Sequence, residues 1–512
     1  MGATVTSFYF LCFLLVVVIA YYVVPGKWQW GVLLLSSISY YLLSGNEILI
    51  LYPIAACTVA WLCTWQMQKQ SSPKVRRFFL IAAILLLIGV LFVLKYINFG
   101  IHTVNGIAWL FGGKAQLIQG FHFLIPLGIS FYTFSVLGYV IDVYNGIADS
   151  QRNLLKLLCF GMYFPAILSG PIMKYREDGE QFFVPHKFEY REVTFGAQRM
   201  LWGFFKTLVI SERMNLIVNT VYGDYYTYQG AYIWFATVCY AFQLYTNFSG
   251  CMDIVLGMSQ MLGIRLPENF ETPFFSKTIS EYWRRWHITL GVWFKEYVFY
   301  PLLRSSLFMK LAKNLKKKFG KKRGKQLTTF LAMFLLWFAV GIWHGGDWKF
   351  VIGSGLLHWL YIVTGELLEP VGAWIFAKTG IKGQGKAMNA FRVARTFFLV
   401  NLGFVFFRAD RLWDALHILR ASVQVWNLKV LFSSELFALG LDWIEFVIAV
   451  VSLLILLVVS WFKNRGVLIR EKIAEKKLPI RWAIWYALLF YTILLGYYGP
   501  GYSAAEFIYQ GF

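Results

Sequence analysis

The sequence predicts an all-α, polytopic membrane protein. Hydrophobic residues make up 58% of the 512 residues, and aromatic residues make up 19%. Charged residues account for only 14%, whereas an ordinary soluble domain has roughly 25%. Because so little polar surface could not keep a chain of this size in solution, the excess apolar area must face lipid. We expect about 11–14 transmembrane or re-entrant helices, together with interfacial helices.

The positive charges lie in short blocks between the apolar stretches. The main blocks are residues 69–77, 310–325 and 463–477, and the formal net charge is +22. Basic loops stay on the cytoplasmic face of a membrane protein, so we place all three there. Both termini and the turn at 341–347 then lie toward the outer face. A nucleic-acid partner is not expected, because no basic stripe alternates with stacking aromatic residues outside the apolar runs.

The apolar runs give the predicted helices in chain order. A span needs about 20 apolar residues, and several candidates are short or interrupted by glycine or proline, so some are re-entrant. The candidates are residues 7–24, 28–44, 47–66, 77–96, 121–141, 154–170, 196–220, 229–247, 250–263, 328–344, 347–366, 393–407, 438–462 and 481–499. Because neither an internal repeat nor a break in composition is visible, we predict one membrane-embedded domain over residues 1–512.

Residues 267–310 form a segment that is too polar to span, in which aromatic residues alternate with charged ones. It includes Arg284, Arg285 and His287. One interpretation is a helix lying in the interface, with its indole rings at headgroup depth. The other is a segment that packs between spans, with its arginines lining a polar cavity.

Several signatures of other protein classes are absent from the sequence. The six cysteines show no CxxC pairing and lie in or beside apolar runs, which favours buried structural residues over a disulfide framework or a metal site. There is no P-loop, no HExxH and no GxSxG. These absences disfavour an ATP-driven pump, a zinc protease and a serine hydrolase.

The strongest candidate for chemistry is the run Trp343-His344-Gly345-Gly346-Asp347, where one apolar run ends. Paired glycines permit a tight break, and histidine can exchange a proton near neutral pH. His358 lies about four helical turns further along, so a functional pair requires the chain to fold back at the glycines. The alternative for each histidine is a structural hydrogen bond to a neighbouring helix.

A second polar group lies between two apolar runs, at Asn247 to Asp253. It could be a polar turn at the membrane surface. Alternatively, Asp253 could pair with Arg284 or Arg285 and so neutralise a charge that hydrocarbon penalises. His287 could be catalytic. Alternatively, it could contact lipid headgroups or have a structural role.

The chain resembles the membrane-bound O-acyltransferase family, in its bacterial alginate O-acetylation and teichoic-acid D-alanylation branch. The resemblance covers most of residues 120–410, with extra spans in 1–100 and 438–499. The matching stretches are IPLGISFYTFS (125–135), YFPAILSGPIMK (163–174), NFSGCMDIVLGMSQMLGIRLPENFETPF (247–274), SEYWRRWHITLGVWFKEYVFYPL (280–302), GIWHGGDWKFVIGSGLLHWL (341–360) and NLGFVFFRAD (401–410).

The resemblance implies that an acyl group passes through a tunnel between the two membrane faces. It implies that His344 is the active-site residue, and an imidazole is the usual base for a hydroxyl that attacks a thioester. Residues expected to support His344 or to line the tunnel are His358, His287, Asp253, Asn247, Arg284, Arg285, Trp343 and Asp347. No metal and no bound cofactor are expected, and the expected donor is a cytoplasmic acyl-CoA, acetyl-CoA in particular.

Two departures from the family pattern bear on the branch. Relatives often have an aromatic residue where Cys251 stands, and the D-alanylation branch has a further histidine in the region matching 397–401, where this chain has none. The second departure favours acetyl transfer in a bacterial inner membrane. In that branch a separate hydrolase-like partner completes transfer onto a polysaccharide, and the sequence predicts no extracytoplasmic domain to replace that partner. The alternative function is a transporter or flippase that moves an envelope precursor without covalent chemistry.

Overall fold

The fold is helical throughout the described part of the chain. The structure, a computed structural model, describes residues 6–45, 47–112, 117–380, 383 and 385–498. Over these residues the regular elements are helices, and the only β-type pairing is one isolated bridge between Phe270 and Trp286. The predicted all-α class is therefore confirmed. Residue 499, the last of the predicted C-terminal span, lies outside the described residues.

Seven helices among the described residues are long and apolar enough to cross a membrane. They are Glu47–Lys69, Pro73–Leu110, Lys321–Gly345, Trp348–Thr379, Lys386–Arg408, Trp443–Asn464 and Leu478–Leu495. Two shorter apolar helices, Phe8–Val23 and Ile129–Tyr144, accompany them. The chain is a multi-pass membrane protein. The predicted span at 121–141 becomes helical only from Ile129, and the predicted span at 154–170 divides into Leu154–Gly161 and Phe164–Ser169.

The remaining helices fill the space between and around these spans. They are Gln29–Leu43, Tyr175–Asp178, Tyr190–Phe204, Glu212–Gly223, Ala231–Met261, Ile279–Arg285, Ile288–Phe294, Tyr300–Arg304, Ser306–Phe319, Leu412–Gln424 and Ile469–Ala474. Four π-helical segments interrupt or extend the helices, namely Phe92–Tyr96, Phe205–Ser211, Lys295–Phe299 and Val351–Leu356. Such segments often occur at functional sites.

Polar contacts link the surroundings of two of the three basic blocks, 69–77 and 463–477. They are formed by Arg76 with Tyr144, Arg176 with Asp142 and Glu296, Gln181 with Arg265, Glu192 with Arg265, and Arg191 with Glu471. The helix Lys321–Gly345 begins within the third block, 310–325, and is about 37 Å long at 1.5 Å per residue. Its C-terminal end, with His344, therefore lies far from that block.

The prediction of two spans at 229–247 and 250–263 is wrong, because Ala231–Met261 is one continuous helix of 31 residues. Its glycines serve helix packing rather than a break. A methyl group on Gly250 would come within 3.0 Å of the Gly203 carbonyl, and one on Gly257 within 2.5 Å of the Gly196 carbonyl. Small residues let two backbones approach this closely in a membrane. The group from Asn247 to Asp253 therefore lies inside a helix and not in a surface turn.

The segment 267–310 packs between the spans over most of its length. Tyr282, Trp286, His287 and Trp293 are all buried, so the interpretation of the aromatic part as an interfacial helix is wrong. The indole Nε1 of Trp293 donates a hydrogen bond to the Phe134 carbonyl at 2.9 Å. Only the last part behaves as a surface helix, since Ser306–Phe319 exposes its lysines. The aromatic part is available to line an internal site.

Candidate active site

The helix Lys321–Gly345, here the histidine helix, ends in a sharp reversal of the chain. Gly346 has a φ of 58° and donates its N–H to the Ile342 carbonyl at 2.9 Å, which is a glycine cap of a helix C-terminus. Asp347 then accepts the Lys349 N–H at 2.8 Å and caps the start of the next helix. The predicted fold-back at the glycines is present.

Two further glycines bring the returning chain against the histidine helix. A methyl group on Gly341 would lie 2.6 Å from the Val351 Cα, and one on Gly355 would lie 2.4 Å from the Trp337 carbonyl oxygen. The close approach coincides with the π-helical segment Val351–Leu356. The antiparallel pair presents both His344 and His358 to one internal space.

That space is a small cavity, here the histidine cavity. Its lining consists of Leu244, Tyr282, Trp283, Trp286, His344, Ser354, His358, Gly403, Phe404 and Phe407. His344 is 2% exposed and His358 is 4% exposed. The cavity volume of about 20 Å³ is enough for about one water-sized group. Any substrate larger than a water molecule, an acetyl group included, requires the lining to move.

Aromatic rings fix both imidazoles. The His344 ring lies edge-on to Trp343 at 5.1 Å and to Phe407 at 5.5 Å between ring centroids. The His358 ring contacts Trp283 at 5.0 Å and Trp337 at 6.0 Å. Packing of this kind leaves few rotamers to each imidazole, which is what a preorganised catalytic group requires.

Three polar atoms of the cavity lining have no hydrogen-bond partner among the described residues. They are Nδ1 of His358, Oγ of Ser354 and Nε1 of Trp283. A buried polar atom without a partner costs about 1–3 kcal/mol, so such atoms suggest a ligand or a functional role. The cavity therefore offers a donor and an acceptor to a polar substrate. Ser354 was not predicted from the sequence, although its hydroxyl interrupts an apolar run.

His287 lies close to the histidine cavity but is not part of its lining. Its φ of 46° is in the left-handed region, and its Nδ1 is 3.3 Å from Asn269 Oδ1. Its ring contacts Phe248 at 4.9 Å and Trp343 at 5.6 Å. Trp343 thus packs against two of the predicted histidines, His287 and His344.

Asp253 does not pair with Arg284 or Arg285, and that predicted alternative is wrong. It forms ion pairs with Arg199 at 2.9 Å and with Lys206 at 2.7 Å. Both partners come from the neighbouring helix, which the glycine contacts hold close to Ala231–Met261. The network lies outside the lining of the histidine cavity.

The other predicted supporting residues lie apart from the cavity lining. Arg285 pairs with Glu281 at 2.8 Å and donates a hydrogen bond to Asn464, while Arg284 is exposed. Asn247 is buried in Ala231–Met261, the helix that contributes Leu244 to the lining. Asp347 acts as a helix cap. Of the supporting set, the structure places only His358 in the same cavity as His344.

Replacement of Gly403 by alanine is expected to lower the turnover number about tenfold by displacing His358. A methyl group on Gly403 would lie 3.0 Å from His358 Nε2, so the imidazole must shift by a few tenths of an ångström, and small displacements are costly in an active site. Steady-state kinetics of the purified variant measure the effect. Gly365→Ala is the control, because a methyl group there meets open space. Equal rates for both variants would show that the position of His358 is unimportant.

Comparison with known proteins identifies the family. Residues 147–407 match the membrane-bound O-acyltransferase family. A probable alginate O-acetylase of Pseudomonas putida is 30% identical over 372 residues, which cover 72% of this chain and 70% of the relative. A peptidoglycan O-acetyltransferase of Helicobacter pylori is 28% identical, with 69% of this chain and 66% of the relative covered.

A relative that is named for D-alanyl transfer matches a shorter part of the chain. A teichoic acid D-alanyltransferase of Bacillus subtilis is 31% identical over 264 residues, which cover 49% of this chain and 61% of the relative. The matched family region includes His344, His358 and the rest of the cavity lining. With the helical fold and the buried histidine cavity, these matches show that the chain is an O-acyltransferase and belongs to the membrane-bound O-acyltransferase family.

Proposed function

We propose that this chain is an O-acetyltransferase that passes an acetyl group from cytoplasmic acetyl-CoA across the membrane toward an extracytoplasmic polysaccharide. The observation that carries the proposal is the placement of His344 and His358 in one buried cavity. Two of the similar proteins are named for acetyl transfer to alginate and to peptidoglycan. An acetyl group requires a smaller movement of the cavity lining than a long acyl chain does.

In the proposed reaction His344 acts as the general base. The acceptor hydroxyl oxygen attacks the thioester carbonyl carbon while the imidazole takes the hydroxyl proton. The tetrahedral intermediate collapses, the C–S bond breaks, and the leaving thiolate takes the proton from the imidazolium. General base catalysis of this kind contributes about 10²–10⁴-fold.

Burial of the cavity contributes a second effect. The aromatic lining around His344 keeps bulk water away from the thioester, so that hydrolysis does not compete with transfer. The Nδ1 atom of His358 and the hydroxyl of Ser354, both facing this space, would orient the acceptor or the acyl carbonyl by hydrogen bonds. These two residues are proposed to bind and position the substrate, and His344 alone exchanges the proton.

The proposal includes a location and a partner. The curated relatives named above are bacterial proteins, which supports placement in the bacterial cytoplasmic membrane with the basic loops inside. The resemblance to the acetyl-transferring branch supports a separate hydrolase-like protein that receives the acetyl group and completes transfer to the polysaccharide. The donor would then meet the protein on the side of the basic loops.

The proposal is tested with the purified protein in lipid nanodiscs and acetyl-CoA labelled in its acetyl group. Thiol release and label transfer are followed in the presence of the cell's polysaccharide fraction and of candidate hydrolase-like proteins. We expect thiol release that depends on the acceptor, with a stoichiometric amount of label on the acceptor. Movement of a polysaccharide precursor across the membrane without any thiol release would instead establish a transporter and contradict the proposal.

A further inference from the structure

A lysine lies in the membrane span next to the end of the histidine helix. Lys95 belongs to the span Pro73–Leu110, within its π-helical segment Phe92–Tyr96. It lies outside the matched family region of residues 147–407. Among the described residues no carboxylate lies within ion-pair distance of its ammonium group. A charged side chain inside a span is costly, and such residues usually serve a function.

Lys95 directly contacts Trp343, the residue before His344. Its Nζ donates hydrogen bonds to the Trp343 carbonyl at 3.3 Å and to Ser130 Oγ at 3.0 Å. The ammonium group also lies 5.5 Å from the ring centroid of Trp343. The hydroxyl of the next residue, Tyr96, donates to the same carbonyl at 3.1 Å. One neighbouring span thus supplies two donors to a single carbonyl of the histidine helix.

The Trp343 carbonyl requires hydrogen-bond donors from outside the helix because it lies at a helix end. The last four carbonyls of a helix have no partner within the helix, and Trp343 is among these positions in Lys321–Gly345. Within the hydrocarbon region no bulk water can satisfy them. A cation there also stabilises the negative end of the helix dipole. Lys95 therefore supplies a hydrogen bond that the membrane cannot.

The span Pro73–Leu110 also packs against Gly346, in the turn that follows His344. A methyl group on Gly346 would come within 2.9 Å of Tyr96 Cδ1 and within 3.4 Å of the Lys95 carbonyl oxygen. The π-helical segment thus contacts the backbone immediately before and immediately after the pair His344-Gly345. The backbone of His344 is held between these two contacts.

We propose that Lys95 is a positioning residue, which fixes the orientation of His344 by anchoring the Trp343 carbonyl at the end of the histidine helix. Its effect on catalysis rests on the proposed function. Its effect on the backbone does not, so the two can be measured separately.

The experiment compares the wild type with Lys95→Met, which keeps the length of the side chain and removes the ammonium group. Hydrogen exchange of peptides covering residues 340–348, followed by mass spectrometry in nanodiscs, reports the backbone. Steady-state kinetics with acetyl-CoA report catalysis. Thr103→Val is the matched control, because it removes the hydrogen bond from Trp348 to the same span without touching the Trp343 carbonyl.

We expect Lys95→Met to accelerate exchange in residues 340–348 at least tenfold and to lower kcat about 100-fold, since a misplacement of about 1 Å has that cost. KM for acetyl-CoA should stay within about twofold, and Lys95→Arg should recover part of kcat because it keeps a charged donor. Unchanged exchange in Lys95→Met would overturn the proposal. A wild type without thiol release would contradict the proposed function alone, and the exchange data would still decide the role of Lys95.

Discussion

His344→Gln is expected to lower kcat for acyl transfer about 10²–10⁴-fold, with little change in thermal stability. Glutamine fills much of the imidazole volume and can form hydrogen bonds, but it cannot accept the hydroxyl proton, so general base catalysis is lost. The donor is expected to bind as in the wild type, because the variant keeps the rest of the cavity lining. The measurement is thiol release from acetyl-CoA by purified protein, together with the unfolding temperature in the same detergent.

His417→Gln is the matched control for this experiment. His417 is exposed on the helix Leu412–Gln424, so the same chemical change there should leave kcat within about twofold of the wild type. If the two variants turned over equally, His344 would be removed from the mechanism. His358 and His287 would then be the remaining histidines to test, the first because it lines the same cavity and the second because it contacts Trp343.

The sequence predicted part of the lining of the histidine cavity. His344 could be chosen as the candidate base because a tryptophan-histidine-glycine-glycine run at the end of an apolar stretch has a local pattern, and the fold-back follows from the glycines. His358 and the aromatic residues at 282–286 also lie within recognisable stretches. Ser354 has no such pattern, since a single hydroxyl in an apolar run is common in membrane helices, so only its place in the cavity lining makes it a candidate.

Features that depend on contacts between distant residues could not be predicted. The local sequence around Gly250 is compatible both with a break in the helix and with close packing against Gly203. Which of the two occurs depends on the neighbouring helix. Lys95 and Trp343 are 248 positions apart, so no spacing rule connects them. Asp253 was expected to pair with a cation, and several basic residues were possible partners. In the structure it pairs with Arg199 and Lys206 and not with the arginines of the segment 267–310, which are nearer in sequence.

The second large effect is expected for Asp253→Asn, and it concerns stability rather than catalysis. The carboxylate lies between Arg199 and Lys206, and the side chains of these two are only 12% and 4% exposed. Removal of one partner from a buried charge network leaves uncompensated charge and costs about 3–5 kcal/mol. Arg199 retains Glu268 at 2.6 Å, so we expect the lower end, about 3 kcal/mol, measured as a lower unfolding temperature in nanodiscs.

A double variant distinguishes a structural role of this carboxylate from a role in acyl transfer. In Asp253→Asn the ammonium of Lys206 keeps its hydrogen bond to Ser249 Oγ at 2.9 Å but loses its carboxylate partner. Asp253→Asn combined with Lys206→Met removes this buried ammonium as well. The double variant should therefore be more stable than the single one, because neighbouring substitutions in one network are not additive. Since the network lies outside the histidine cavity, kcat per folded molecule should stay within about threefold in both. A stable Asp253→Asn protein with a large loss of kcat would instead place Asp253 in the path of the acyl group, as the sequence predicted.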